Sequence, residues 1–585
     1  MKLSRADFES LVRTGFDFAG ATLAELDLRD ASADGAKLAG AILSEVQLDR
    51  ASLRGARLDG AKLLAVSLTS ASLEGAILDD VGAVGIDLGG ANLTGASLAR
   101  VRLGDARLTG ATLRGAKLTD ALLPAAGLDD AVLDDAELSD VVLFEAKLGR
   151  ASLARARLSR VMMNDADASH ATFDGAALAN VSFLGANLEG ASFEGGSFER
   201  VTLQRAKLRG VRLPKRLHGL VLTGAALEGG AALRDVELSQ AELDELDLSG
   251  FDLSSSSFEG AVLNGASLRH AKLTNANLGR AVLLGADLTG ADLEGAILRR
   301  CVLTDAKLPF ADLRGKDLMQ VLAMNADLRC AQLTHARLEL TTLDGANLAE
   351  ADLSGASLRQ VSLDGATLRG VKLERARFES VQFNDVDLST VAFHGLSMVR
   401  CSFRDCDLTG RTFVRCDFTG SDFTRAKLAG ATFDHCILSQ ATLDRAELSG
   451  AKLAGVVAKA AYFGGANLSL ANLSGAGLRH ATFTDARLER ANLSGADARE
   501  AMFDGARAIG ASFVATRLEY SELSHADVQG ADFSRADLSR ANLHGVRDAG
   551  AIFAGAITTG MKRDDADRKA AEEWRPPGRD EHRGD

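Results

Sequence analysis

The chain has 585 residues, 46% of them apolar but only 5% aromatic, with 59 glycines and a formal charge of −13. An acidic balance of this kind argues against a basic nucleic-acid binder, and no apolar run approaches the roughly 20 residues that a membrane-spanning helix needs. The start, Met1 to Asp7, lacks the apolar segment of a secretory signal, so the expected compartment is the cytoplasm, with neither nucleic acid nor membrane as a partner.

From Leu3 to Phe553, Leu, Phe or Met stands at nearly every fifth residue, with a small residue two places before it and commonly Asp, Asn, Ser or Lys between. A helix repeats at 3.6 and a flat strand at 2.0, so neither has this period. Stretches such as Ala-Asn-Leu-Thr-Gly (91–95), Ala-Asp-Leu-Thr-Gly (286–290) and Ala-Asn-Leu-Ser-Gly (491–495) carry the pattern A-(D/N)-L-x-x. Over residues 3 to 556 the chain resembles the pentapeptide-repeat superfamily. The resemblance implies an all-β fold, a right-handed quadrilateral parallel β-helix in which four pentapeptides make one square coil. The large residue and the small residue before it would point inward. Twenty residues to a coil would give roughly 27 coils, a solenoid whose core lengthens rather than thickens.

Taken in chain order, the first expected element is a short helical cap over 8–14, where Arg13 breaks the inward pattern. It belongs to an N-terminal β-helix over 1–213. A register break follows at 214–232: the inward positions run Leu217, Leu222 and Leu227, then jump six residues to Leu233, which predicts a loop or bulge at 214–220 and another at 228–232. A C-terminal β-helix spans 233–556 and tapers where Ala498, Ala508 and Val528 shrink the core and Asp548 replaces an apolar centre. Pro124, Pro214 and Pro309 fall just after a central residue, where a square coil turns. The polar tail, 557–585, reads as mobile apart from a short helix over Asp564 to Trp574.

Few residues suggest chemistry. Cys301, Cys401, Cys406, Cys416 and Cys436 occupy the small inward slot and only Cys330 faces out; Cys416 and Cys436 stack one coil apart, and free buried thiols are the preferred reading over a disulfide. His170, His270, His335, His394, His435, His480, His525 and His544 all take outward positions and read as solvated; His525 and His544 lie one coil apart but lack a third ligand. Carboxylates are plentiful, yet a convex surface offers them no burial to shift a pKa. No phosphate-binding loop is present. The expectation is a non-enzyme with no catalytic, cofactor-binding or metal-binding residues and no cofactor. Lys316 and Arg411 stand in the small inward slot, so that either the strand bulges or the side chain reaches out to solvent.

Charge is uneven. Asp120, Asp129, Asp130, Asp134, Asp135, Glu137, Asp140 and Glu145 accumulate without a cation, and Arg150, Arg155, Arg157 and Arg160 follow. The strongest basic cluster is Arg200, Arg205, Lys207, Arg209, Arg212, Lys215 and Arg216, which runs into the register break. Charges that happen to group on a solvated surface are the plainer account; a docking site for an acidic partner is the sharper one. Trp574 offers the tail an aromatic anchor.

Some small pentapeptide-repeat proteins bind type II topoisomerases as DNA mimics, and the resemblance keeps modulation of gyrase as an alternative function. The alternating acidic and basic stretches depart from their long acidic faces. The segment 536–548 with Ala-Glu-Glu-Trp-Arg-Pro-Pro (571–577) is similar to the ending of long members associated with bacterial type VI secretion clusters. That likeness implies an accessory role, a scaffold or adaptor holding secretion-apparatus or effector proteins, and end-to-end homodimerisation stays open.

Overall fold

The computed structural model describes residues 3–227 and 233–574. The second bulge expected at 228–232 and the end of the tail, with Pro576 and Pro577, lie outside the described residues. Two compact units divide the chain, one ending at Leu303 and the other beginning at Thr304. Each is a right-handed β-solenoid of short parallel rungs.

The repeat sets the architecture directly. In the pentapeptide 91–95, Ala91 and Leu93 are wholly buried, while Asn92 bridges outward-facing positions to Ser72 and Thr112, twenty residues before and after it. The Asn92 carboxamide oxygen accepts the backbone N–H of Thr94 (3.1 Å). Asp287 does the same for Thr289 (2.9 Å) and Asn492 for Ser494 (3.0 Å). A short side-chain acceptor before the central residue thus closes the turn, which is why Asp and Asn recur there.

Between coils the backbone is joined by a ladder in which the N–H of a central residue donates to the carbonyl nineteen positions on, as from Leu93 to Thr112 and from Leu353 to Lys372. Three-residue strands form parallel sheets in register at twenty residues, for example Thr22–Ala24 on Ile42–Ser44 and Arg337–Glu339 on Ser357–Arg359. The ladder fixes the rise, and the rise stacks like on like. Phe463, Phe483 and Phe503 lie ring on ring at 4.8 and 4.9 Å, close to the ~4.8 Å strand spacing.

The helix α1 (Arg5–Arg13) caps the first coil. Ser4 and Asp7 close its N-terminus with a reciprocal capping box. Buried Phe8 packs against Phe18 with tilted rings 5.1 Å apart, and Glu9 accepts the exposed strand-edge N–H of Ser32 (3.0 Å). A helix that covers both the core and the edge is what an open solenoid end requires.

At the register break the ladder survives by changing its step. Phe198 pairs with Leu217 and Thr202 with Val221, nineteen residues on, and Arg216 then pairs with Glu237 and Val221 with Glu242, twenty-one residues on. The lost residue is absorbed at the corner over 213–216, where Pro214 turns inward and is buried.

Unit 2 contains a second irregularity that the register does not announce. Asp387 and Ala392, whose equivalents elsewhere bridge neighbouring coils, make no bridge, and the N–H groups of Leu368, Leu373 and Arg375 lack the bond nineteen positions on. The inward slot is crowded here: Val371, Val381, Val386, Val391 and Leu396 replace the usual Ala opposite Phe378, Phe383, Phe393 and Met398. Overfilling a close-packed core forces backbone apart. Arg411, one coil on, sends its guanidinium to the carbonyl oxygens of Ser389 and Val391. The inward arginine therefore stands in for missing backbone donors, and the bulge lies a coil before it. Lys316 is half-buried and its carbonyl keeps the ladder bond from Arg337 (2.9 Å).

The opposite adjustment occurs at Gly196, an inward position where Ala is the norm. A Cβ there would lie 2.7 Å from the Ala176 carbonyl and 3.2 Å from that of Phe193, beside the Phe193–Phe198 ring pair at 5.1 Å. Although Ala is the commonest residue of this slot, Gly196→Ala is expected to destabilise unit 1 by about 1–3 kcal/mol through overpacking. Urea unfolding of the two chains checks this, and equal midpoints would contradict it.

Candidate functional site

Outward charges at the corners stack from coil to coil. Arg150 binds Asp130 through both carboxylate oxygens (2.8 and 2.6 Å), and Arg155–Asp135 and Arg160–Asp140 repeat the fork. The same pairing joins Arg100 to Asp80 and Arg425 to Asp405. Bidentate geometry matches the planar guanidinium to the carboxylate. Hydrogen bonds from Arg160, then from Ser139, hold the Asp140 carboxyl down at about 2. Asp130, Asp135 and Asp140 of the acidic run are thus paired with Arg150, Arg155 and Arg160 of the basic run that follows, and Asp134 with Arg114, while Asp120, Asp129, Glu137 and Glu145 make no ion pair among the described residues.

The basic cluster at the register break is less fully paired. Arg200 meets Glu199 at 2.8 Å, Arg212 meets Glu194 at 3.3 Å, Lys215 meets Asp235 at 2.7 Å and Arg209 lies 3.8 Å from Glu189. Arg205, Lys207 and Arg216 are exposed and make no ion pair among the described residues. The seven span residues 200–216, less than one twenty-residue coil, so they follow successive faces of the solenoid beside the altered ladder step and do not meet on one face: Thr202, Lys207 and Arg212 belong to three different ladders.

The third region is at the end of unit 2. The ladder continues past 556 to Lys562, which bridges Asn542, and the helix α2 (Ala566–Glu573) follows with Asp565 as its N-cap. The tail expected to be mobile from 557 is instead held, because α2 folds back on the coils before it. Glu572 reaches His525 Nε2 and His544 Nε2, both at 3.2 Å, and accepts from Arg568 (2.8 Å); Gly545 donates its N–H to Asp564 (3.0 Å). Seven of the eight outward histidines are exposed as expected, but His544 is buried, 2% exposed, beneath this strap. Glu572 was not legible as a partner: it approaches from a helix outside the repeat. Trp574 is the C-cap of α2 and is 68% exposed.

His525, His544 and Glu572 bring their ligand atoms within 4.8 Å of one another, the spacing of a metal site. The second nitrogen of His544 decides against one. Nδ1 accepts the backbone N–H of Asp565 (3.0 Å), so the ring proton sits on Nε2 and faces Glu572. A metal-bound imidazole does the reverse, donating its far N–H outward. The cluster is a polar strap.

The inward cysteines behave as small apolar residues. Cys301, Cys401, Cys406, Cys416 and Cys436 are buried and free, while Cys330 is half-buried. Burial pushes the thiols of Cys301, Cys401 and Cys406 up to about 12.

The repeat recurs across known sequences. The description "Pentapeptide repeats (8 copies)" matches in overlapping blocks over 41–80, 86–123, 136–210, 231–389 and 451–547, and "Pentapeptide repeat region" matches 371–453. The chain belongs to the pentapeptide-repeat family. Similar solved structures include HetL, a pentapeptide-repeat protein involved in heterocyst differentiation regulation from the cyanobacterium Nostoc sp. strain PCC 7120, at 27% identity over 51% of this chain and 96% of that one, TM-score 0.16. QnrB1, a plasmid-mediated fluoroquinolone resistance protein, is 18% identical over 34% of this chain and 95% of its own, TM-score 0.19. A thylakoid-lumen protein of Arabidopsis thaliana is 26% identical over 21% and 68%, TM-score 0.09. No curated protein sequence matches significantly. The pentapeptide-repeat fold is a structural scaffold, and no catalytic family is indicated. No helix among the described residues is long and apolar enough to cross a membrane.

The strap rests on polar contacts, since α2 buries no side chain and eight residues are too few for a helix to persist alone. Burial would raise the Glu572 carboxyl, but hydrogen bonds from Arg568, His544 and His525 outweigh it and lower it from 4.5 to about 2. A depressed carboxylate stabilises above its ordinary value and loses that contribution as the pH falls through the lowered one. Docking of α2 should therefore be complete above pH 4.5 and fade towards pH 2. Glu572→Gln should free the helix at neutral pH, read as faster limited proteolysis after Arg568 and Lys569; unchanged cleavage would show that other contacts hold it.

Proposed function

We propose that this pentapeptide-repeat chain is a non-catalytic scaffold or adaptor that holds other proteins on its outer surface. What carries the reading is the division of labour within each repeat. Inward positions are used for packing by Ala, Leu and Phe, so the side chains left for recognition lie outward and recur with every coil. Rigid, nearest-neighbour stacking gives such a surface fixed spacing without an internal site.

The likeness of 536–548 and 571–577 to long members near type VI secretion clusters favours secretion-apparatus or effector proteins as partners, and the cytoplasm as the place of action. The exposed Trp574 at the C-cap of α2 and the incompletely paired basic residues Arg205, Lys207 and Arg216 are the features suited to capture. Modulation of gyrase by DNA mimicry is less well supported. A mimic needs uncompensated acid along one face, whereas half of the densest acidic run here is compensated: Asp130, Asp135 and Asp140 are bound by Arg150, Arg155 and Arg160, and Asp134 by Arg114.

Capture from native lysate by the full chain, followed by mass spectrometry, tests the reading. Secretion or effector proteins are expected, and a joint change of Arg205, Lys207, Arg209, Arg212, Lys215 and Arg216 to Glu should reduce their recovery about tenfold or more. Retention of a type II topoisomerase instead would favour the DNA-mimic reading. Undiminished recovery by the reversed chain would remove the basic cluster from the account.

A further inference from the structure

The break in the unit 2 ladder leaves a cleft of about 420 Å³ between the rung 371–375 and the next coil at 392–396. That volume lies within the range of ligand sites, about 300–1,000 Å³. One side presents the N–H groups of Leu373 and Arg375 without their ladder acceptors, and the other presents the bridge-free backbone at Ala392. Two strand edges that would ordinarily satisfy each other face across a gap.

We propose that this cleft is a docking slot for an extended acidic segment of a partner protein, whose backbone takes up the hydrogen bonds that the parted coils cannot make. The inference rests on the scaffold reading and gives it a location. Addition of an extended peptide to an open strand edge supplies affinity through main-chain bonds and specificity through alternate side chains. Both halves of that recognition are present. Val371 and Leu373 line the inner side and are each 7% exposed, where the repeat normally buries these positions fully. They offer apolar contact to one face of the incoming strand.

The rim selects for acid. Lys372, Arg375 and His394 line it against one carboxylate, Glu374, which keeps its charge while accepting the Ser354 hydroxyl at 2.8 Å; Lys372 lies in register with Asp352 of the preceding coil, so Arg375 is the cation most available to an incoming acid. Alternating apolar and acidic side chains match this arrangement, apolar towards Val371 and Leu373 and acidic towards Lys372 and Arg375.

Arg411 keeps the slot from closing. Its guanidinium occupies the carbonyls of Ser389 and Val391, and Gly370 donates to the Thr390 hydroxyl (3.3 Å) rather than to a backbone carbonyl. With those groups satisfied elsewhere, the displaced segment gains little by returning to the ladder. The crowded inward slot opposes its return as well.

The experiment measures binding of two blocked, fluorescently labelled peptides, Val-Glu-Val-Glu-Val and Val-Lys-Val-Lys-Val, to the full chain by anisotropy. The acidic peptide is expected to bind about tenfold or more tightly than the basic one, and Lys372→Glu with Arg375→Glu should weaken it by about tenfold or more at unchanged melting temperature. In backbone hydrogen exchange, the acidic peptide should slow Leu373 and Arg375. Absence of saturable binding, or binding that the double substitution leaves unaltered, overturns the slot. Because capture from lysate is scored separately on the intact chain, a partner retained while the peptide fails would overturn the slot alone and leave the scaffold standing.

Discussion

The coil-to-coil hydrogen-bond ladder is the constraint on which everything else depends. It fixes a rise of one strand spacing, and at that rise each inward level must hold a large side chain and a small one. Ala is frequent because the backbone of the next coil leaves room for little more. Where the volume is right, as in the stack Phe463–Phe483–Phe503, the rungs repeat without adjustment. Where it is not, either the residue yields or the ladder does. Gly196 shows the first outcome and the coil at 386–392 the second.

The ladder also organises the exterior. Because residues twenty apart lie above one another, a charge pattern in sequence becomes a pairing pattern in space. Asp130, Asp135 and Asp140 read as an acidic excess until Arg150, Arg155 and Arg160 come to rest on them. Single exposed ion pairs contribute about 0–1 kcal/mol, so the array matters less for stability than for appearance. It compensates part of the surface charge, and exposed cations that make no ion pair among the described residues, such as Arg205 and Lys207, remain uncompensated.

Much of this was legible in the sequence, because the five-residue period dictates which side chains face inward and the Asx turn explains the residue before the centre. The inward cysteines and the change of step at 214–220 follow from counting alone. What escaped counting arises from contacts between distant parts of the repeat or from outside it. His544 obeys the outward pattern and is buried only because α2 returns over it, bringing Glu572 across 28 residues. Arg411 stands out in the sequence as an odd inward cation, but its partners, the Ser389 and Val391 carbonyls, are free only because the ladder has parted there. The parting comes from several Val and Leu residues acting together, each tolerable alone.

The ladder parts at the coil where the proposed docking slot lies, a place where the solenoid departs from its own rule. Amide-resolved hydrogen exchange of the intact chain tests that claim most directly, since an amide in the ladder opens only with its coil whereas an unbonded one exchanges freely. The account predicts slow exchange at Leu353, Leu363 and Phe383, which keep their ladder bonds, and rapid exchange at Leu368, Leu373, Arg375 and Ala392. Equal protection at both sets would mean that the ladder is closed in solution, and would contradict it.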